Sequence, residues 1–348
     1  MTETTLALDK DYDEWAALLL SWEEPSYRAE QVWSWLYRSL VPSPVDMRNL
    51  PLSLRRRLEE SLEWQLLWPT ETLTSDDGFT EKVLFRLRDK ELIEAVLMRY
   101  DDRRTVCVST QVGCALGCPF CATGQGGFKR NLAAGEIVAQ VLHFARDLST
   151  AGDRITNVVL MGMGEPFLNY EATWLAIGRL NDHRGFNLGA RHFTISTAGH
   201  VPGIRRMAQE ELPVGLAVSL HAANDELRDR LVPLNRRFPL GALMEACREY
   251  ARKTRRRVTF EYALIELIND RAADARELAR LTRGMPRHVN LIPLNPTVAC
   301  DYHPSSRQRV RAFQAALDAE GVSNTVRISR GIDIQAGCGQ LRAARDAT

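Results

Sequence analysis

The chain has 348 residues, 45% hydrophobic and 26% charged, ordinary for a globular protein and too long for one small domain. Its net charge of +1 excludes a globally basic nucleic-acid binder, so any nucleic-acid contact must come from local patches. No apolar run approaches the ~20 residues that span a bilayer, and the acidic start "MTETTLALDKDYDEW" lacks a signal-peptide core. A cytoplasmic location with no membrane partner is expected, and there clustered cysteines point to a metal or to chemistry before structural disulfides.

Residues 10–66 read as helical. "EQVWSWLYRSL" places Val32, Trp35, Leu36 and Leu40 on one face, and "LPLSLRRRLEESLEW" repeats the pattern after the breaker "VPSPVD". This is a small N-terminal helical domain, 1–70, with Trp33, Trp35 and Tyr37 expected in a helix–helix core rather than against a partner. "ETLTSDDGFTEKVLFRLRDKELIEAVLM" then changes period. Asp77-Gly78 signals a hairpin turn between alternating runs, a β extension over 71–104. Glu94 lies there amid apolar neighbours, either facing solvent from an edge strand or buried and usable in proton transfer.

From residue 105 strands and helices alternate. Strand candidates are "TVCVSTQV", "ITNVVLMGM", "HFTIST", "VGLAVSLHA", "VTFEYALI", "HVNLIPLN" and "TVRISRG", with helical runs such as "AAGEIVAQVLHFARDL" and "LGALMEACREYARK" between several of them. That order argues for an α/β fold with a parallel sheet, open or closed into a barrel over 105–300, with ligands at the C-terminal strand ends. A last segment, 301–348, carries Cys338. There is no internal repeat and no low-complexity tract.

Four of the seven cysteines, Cys107, Cys114, Cys118 and Cys121, crowd "CVSTQVGCALGCPFC". The last three form C-x3-C-x2-C. Thiolates suit iron–sulfur clusters, zinc or copper(I), but a structural zinc site wants four ligands in two knuckles, and no second knuckle exists. Three thiolates fit three corners of a [4Fe–4S] cube and leave one iron free for a small molecule. A zinc-stapled loop with Cys107 as fourth ligand is the alternative.

"VVLMGMGEP" ends a strand in Gly162, Gly164 and Glu165; glycines allow close ligand approach, and the carboxylate could pair with an amino group. By itself this is a tight turn with a surface Glu. Ser196, Ser219-Leu220-His221 and Asn295 end three further apolar runs. Each alone reads as a satisfied strand-end group, and their recurrence speaks against that. Cys338 in "QAGCGQL" and Cys107 read either as unrelated thiols or as a pair in which one accepts a group and the other resolves it. Basic clusters at "LRRR", "DDRR", "LNRRF" and "RKTRRR" are solvated faces or a track for a phosphate backbone.

C-x3-C-x2-C after a strand resembles the radical S-adenosylmethionine (SAM) superfamily. "CVSTQVGCALGCPFCATGQGGFKRNLAAGEI", "VVLMGMGEPFLNY", "FTISTAGHVPGI", "LAVSLHAANDELRDRLVPLN", "VNLIPLNP" and "SRGIDIQAGCGQL" together resemble the RlmN/Cfr family of RNA adenosine methyltransferases, over residues 26 to 342. One departure is Gly337, where the family more often has Ala; it is expected to leave the available room unchanged.

The resemblance implies a partial (β/α)6 radical SAM barrel with an N-terminal RNA-binding accessory domain. It implies a [4Fe–4S] cluster on Cys114, Cys118 and Cys121, and SAM contacts at Gly164, Glu165, Ser196, Ser219, Leu220, His221 and Asn295. It also implies Cys338 as an S-methylcysteine methyl carrier, Cys107 as its transient disulfide partner and Glu94 as proton acceptor. The implied reaction uses two SAM per turnover, one methylating Cys338 and one cleaved to a 5′-deoxyadenosyl radical. Its implied product is adenosine methylated at C2 in 23S rRNA and in tRNA beside the anticodon, with C8 methylation of 23S rRNA as the alternative. A monomer served by an external one-electron donor such as flavodoxin completes the expectation.

Overall fold

The computed structural model describes residues 5–297, 300–327 and 330–341. Three helices open the chain: α1 (Tyr12–Ser21), α2 (Tyr27–Tyr37) and α3 (Leu52–Ser61). Asp11 and Glu14 form a capping box that starts α1. The buried stripe of α2 is Ala29, Val32, Trp33, Leu36 and Tyr37, rotated from the expected Val32–Trp35–Leu36–Leu40 face. The helix ends at Tyr37, and Leu40 adopts a left-handed φ of 58° in the following turn. Trp35, accordingly, is only partly buried.

Strands β1 (Trp68–Thr74), β2 (Thr80–Arg86) and β3 (Leu92–Arg99) form an antiparallel meander, with Gly78 at φ 70° in its first turn. β4 (Arg104–Cys107) pairs antiparallel to β3 and then begins the parallel part. The run "TVCVSTQV" is not one strand. β4 stops at Cys107, and β5 (Gln111–Gly113) leaves to pair with β6 (Phe128–Asn131), which follows the short helix α4 (Ala122–Gln125). Gln140 enforces the break, since its side-chain amide takes both the N–H and the carbonyl of Ser109, at 2.8 and 3.0 Å.

After α5 (Ala134–Thr150) come β7 (Asn157–Leu160), α6 (Tyr170–Asn181), β8 (Phe193–Thr197), α7 (Val201–Met207), β9 (Gly215–Ser219), α8 (Asp225–Leu231) and α9 (Leu240–Thr254). β10 (Val258–Leu264), α10 (Ala272–Leu281), β11 (Arg287–Pro293), α11 (Arg307–Ala319) and β12 (Asn324–Val326) follow. All belong to one ten-stranded sheet ordered β1-β2-β3-β4-β7-β8-β9-β10-β11-β12. Six parallel strands, β4 and β7 to β11, are each followed by helix, which is the expected (β/α)6 unit. β12 adds a further parallel strand beyond residue 300.

Register separates the two faces. Val106, Val158, Phe193, Ile195, Leu216, Val218, Phe260, Tyr262, Val289 and Leu291 share the face beneath the helices and are buried. Each such side chain contributes roughly 1.5–3 kcal/mol. The opposite face carries Lys82, Glu94, Cys107, Thr194, Ser196, Ser219, Glu261 and Asn290. One face of the sheet is thus apolar and the other polar.

The helical region docks through Asp9, whose carboxylate accepts the Gly135 N–H at the start of α5, 2.6 Å away. Among the described residues no helix is long and apolar enough to cross a membrane.

Candidate active site

The cysteine loop hangs from the C-terminal end of β4. Gly113, at φ 74°, lets it fold back: a Cβ there would lie 1.9 Å from the Gly127 carbonyl oxygen. Cys114 N–H donates to that carbonyl at 2.8 Å, and Cys121 N–H to Cys118 O at 3.1 Å. Cys118 and Cys121 pack against a small apolar cluster containing Phe120, Ala222, Ala263 and Leu294. Burial pushes the Cys114 thiol up to about 12 and raises that of Cys118. Each of these two thiols feels Cys121 and Glu165, and Cys118 also feels Cys114. Three soft donors share one loop with no imidazole among them, a set that fits a [4Fe–4S] cluster.

Cys107 is not part of that group. It lies on the interior face at the end of β4, buried, its thiol pushed up to about 12 by burial and then by Cys338. Cys338 is exposed at the mouth, yet protein surrounds its sulfur closely enough that lost hydration raises its thiol, an effect Arg327 opposes. The strap 330–341 that carries it is tied across the strand ends. Asn295 Nδ2 donates to Cys338 O (3.1 Å), Ala122 N–H to Gly339 O (2.8 Å), Gln340 Nε2 to Pro296 O (3.0 Å) and Asp76 N–H to Asp333 Oδ2 (2.8 Å). Gly337 is held tightly: a Cβ would meet Asn295 Nδ2 at 2.6 Å and Gln340 Oε1 at 2.8 Å. The expectation that glycine here leaves the room unchanged is therefore corrected. Alanine would need Asn295 and Gln340 to move.

Gly164 has φ 102°, and a Cβ would lie 2.6 Å from the Gln111 side chain. Gly164→Ala is expected to cost roughly 2–4 kcal/mol, read as a lower urea midpoint. Glu165 is buried and caps the turn that follows, its Oε1 accepting from Phe167 N–H (3.2 Å) and Oε2 from Ala198 N–H (2.8 Å). Burial pushes its carboxyl up to about 7, opposed by those hydrogen bonds. No cation is among the causes, so an incoming ammonium beside the cysteine loop would favour the anion.

Ser196 and Ser219 Oγ approach to 3.4 Å across β8 and β9. Leu220 is fully buried, its N–H donating to Glu261 O and its carbonyl accepting from Arg228 Nε. His221 adopts φ 60°, and its Nδ1 accepts the Ala263 N–H at 3.0 Å, which places the ring proton on Nε2. Burial pushes its pKa down to about 3, so the ring is neutral. It meets the Phe120 ring edge-on at 4.9 Å, which brings it to the cysteine loop. Glu94 is buried, and its carboxylate lies 3.0 Å from Lys82 Nζ.

Several residues here are absent from the sequence expectation. Arg228 reads as part of a charge run but is fully buried, holding Leu220 O, Ser219 O, Ala198 O and Asn235 together at the ends of β8 and β9. Glu261 accepts from Asn290 Nδ2 at 2.8 Å on the interior face. Of the basic clusters, "RKTRRR" supplies Arg255, Arg256 and Arg257 to a cavity of about 600 Å³ shared with Arg191, Thr194 and Thr259. That cavity is at the N-terminal strand ends, away from the strap.

Comparisons with known proteins agree with this geometry. Residues 108–279 match the radical SAM superfamily model, and residues 7–63 match the ribosomal RNA large subunit methyltransferase N-terminal domain. The chain is 50% identical over 344 residues to a probable dual-specificity RNA methyltransferase RlmN of Chloroflexus aurantiacus, covering 96% of this chain and 91% of that one. It is 52% identical over 327 residues to the dual-specificity RNA methyltransferase RlmN 1 of Myxococcus xanthus, covering 94% and 91%. A crystal structure of a radical SAM methyltransferase from Sphaerobacter thermophilus superposes with a TM-score of 0.96 at 53% identity, covering 98% of this chain and all of that one. The chain therefore belongs to the RlmN family of RNA methyltransferases within the radical SAM superfamily, enzymes that use a [4Fe–4S] cluster and SAM.

Proposed function

We propose that the protein methylates C2 of one adenosine in 23S rRNA and one in tRNA beside the anticodon, carrying the methyl on Cys338 and using two SAM per turnover. The observation that carries this reading is the division of the cysteines. Cys114, Cys118 and Cys121 share one loop beyond β5, whereas Cys107 ends β4 on the interior face and Cys338 lies on the strap tied to Asn295 and Lys82.

Adenine C2 is electrophilic and cannot attack an electrophilic methyl, so a direct displacement is closed. Cluster and SAM, when bound, supply the methyl group and the one-electron chemistry that a radical addition needs. Cys114, Cys118 and Cys121 would hold the cluster. Gly164, Glu165, Ser196, Ser219, Leu220, His221 and Asn295 would surround SAM, with Glu165 meeting its ammonium. Cys338 Sγ would hold the carbon at the mouth of the interior, where burial raises its thiol and Arg327 opposes that rise. The adduct formed when that carbon bonds to the base holds one unpaired electron: Glu94 takes the C2 proton, the C–H bond breaking as an O–H bond forms, and the electron would return to the oxidised cluster, which restores the aromatic ring. Cys107 Sγ then attacks Cys338 Sγ. An S–S bond forms, the C–S bond breaks toward carbon, and that carbon takes a proton to become the methyl group.

A base must be unstacked to reach this interior, which favours loop and anticodon RNA. We assign residues 1–70 to RNA binding, 71–104 to the β extension, 105–300 to the barrel and 301–348 to the carrier segment. We expect a cytoplasmic monomer reduced by flavodoxin or a similar donor. C8 methylation of 23S rRNA is the other reading in this family. Mass spectrometry of nucleosides from RNA treated with purified enzyme decides: 2-methyladenosine is expected, and 8-methyladenosine would overturn the C2 assignment.

A further inference from the structure

We propose that Lys82 is a positioning residue for this reaction, its ammonium coupling Glu94 to the strap that carries Cys338. The proposal rests on the reading of Cys338 as methyl carrier and Glu94 as proton acceptor. Lys82 stands opposite Val96 on β3, and Val96 stands opposite Cys107 on β4. Glu94 lies two residues before Val96, so Lys82, Glu94 and Cys107 project from the same interior face. The ammonium lies 3.0 Å from Glu94 Oε1 and donates to Gln335 O at 3.4 Å. Gln335 has a left-handed φ of 53° and lies three residues before Cys338.

Lysine is almost never this buried without a partner, and here it is 8% exposed. Stability alone does not ask for it. Replacing a buried ion pair with apolar residues is often neutral or stabilising, and its neighbours on this face, Leu84 and Val96, are already apolar. The pair is instead placed where the reaction needs charge. On this polar face the Lys82 ammonium is within ion-pair distance of the carboxylate that would accept the proton. The same ammonium holds the strap at Gln335, between the ties at Asp333 and Cys338. One side chain thus sets the distance between the acceptor and the carrier.

Three variants test this in the full-length, cluster-loaded enzyme: Lys82→Met, Lys82→Arg and Glu94→Gln. Lys82→Met is expected to keep its thermal midpoint and its Cys338 methylation, read by intact-protein mass spectrometry, since Glu94 is not the group that takes the thiol proton in that step. Its kcat for RNA should fall roughly a hundredfold, the low end for loss of a general base, with KM for RNA within about threefold. Covalent RNA–protein adduct should accumulate, and Lys82→Arg should recover most of the rate. Lys82→Met in the Glu94→Gln background should add little further loss, because both act on one step. Normal kcat in Lys82→Met beside a slow Glu94→Gln overturns the role of Lys82 alone. Normal kcat in Glu94→Gln overturns the acceptor reading beneath it. A lowered thermal midpoint with no recovery in Lys82→Arg makes Lys82 structural and also overturns the proposal.

Discussion

Cys107→Ala is expected to bind a normal complement of iron and to stall with RNA attached. Cys107 ends β4 on the interior face, outside the loop that holds Cys114, Cys118 and Cys121. Removing it takes nothing from the cluster. Methylation of Cys338 and bond formation to the base therefore proceed. What fails is release, because no thiol remains to attack the Cys338 sulfur. The variant should run as a heavier band that ribonuclease trims, and adding Cys338→Ala should erase it. Iron loss in Cys107→Ala would restore the four-ligand reading of the loop. Normal SAM cleavage without adduct would remove Cys107 from resolution.

Cys118→Ala is expected to do the reverse. Two thiols cannot replace three at a cluster that leaves one iron open. Visible absorbance from the cluster and reductive cleavage of SAM should both be lost, with product RNA below detection. Cys118 packs at the edge of the small apolar cluster, so the folded chain should survive; its circular dichroism should match the parent. Retained SAM cleavage would withdraw Cys118 from the ligand set.

Much of the barrel was legible because parallel strands buried on both faces read as apolar runs bounded by breakers, as "HFTIST" and "VTFEYALI" do. Their ends displayed Ser196, Ser219 and Asn295 for the same reason. What escaped depends on contacts distant in sequence. The amide that ends β4 belongs to Gln140 on α5. Lys82 meets Glu94 only through the antiparallel register of β2 and β3. Arg228 lies in "DELRDRL", which has the composition of a solvated helix face, yet it is buried by strand-end carbonyls that no local pattern announces. The backbone N–H groups of Phe167 and Ala198 that fix the Glu165 carboxylate also come from turns no local pattern announces. The left-handed turn at His221 is likewise imposed by the crossing to β10.

The claim that the methyl passes through Cys338 is tested most directly by isotope. Enzyme carrying a trideuterated methyl on Cys338 is mixed with unlabelled SAM, reductant and RNA for a single turnover. Deuterium should appear in both products, two atoms in the new methyl group of the RNA and one in 5′-deoxyadenosine. Unlabelled 5′-deoxyadenosine together with unlabelled RNA would mean that the group on Cys338 is not the one transferred.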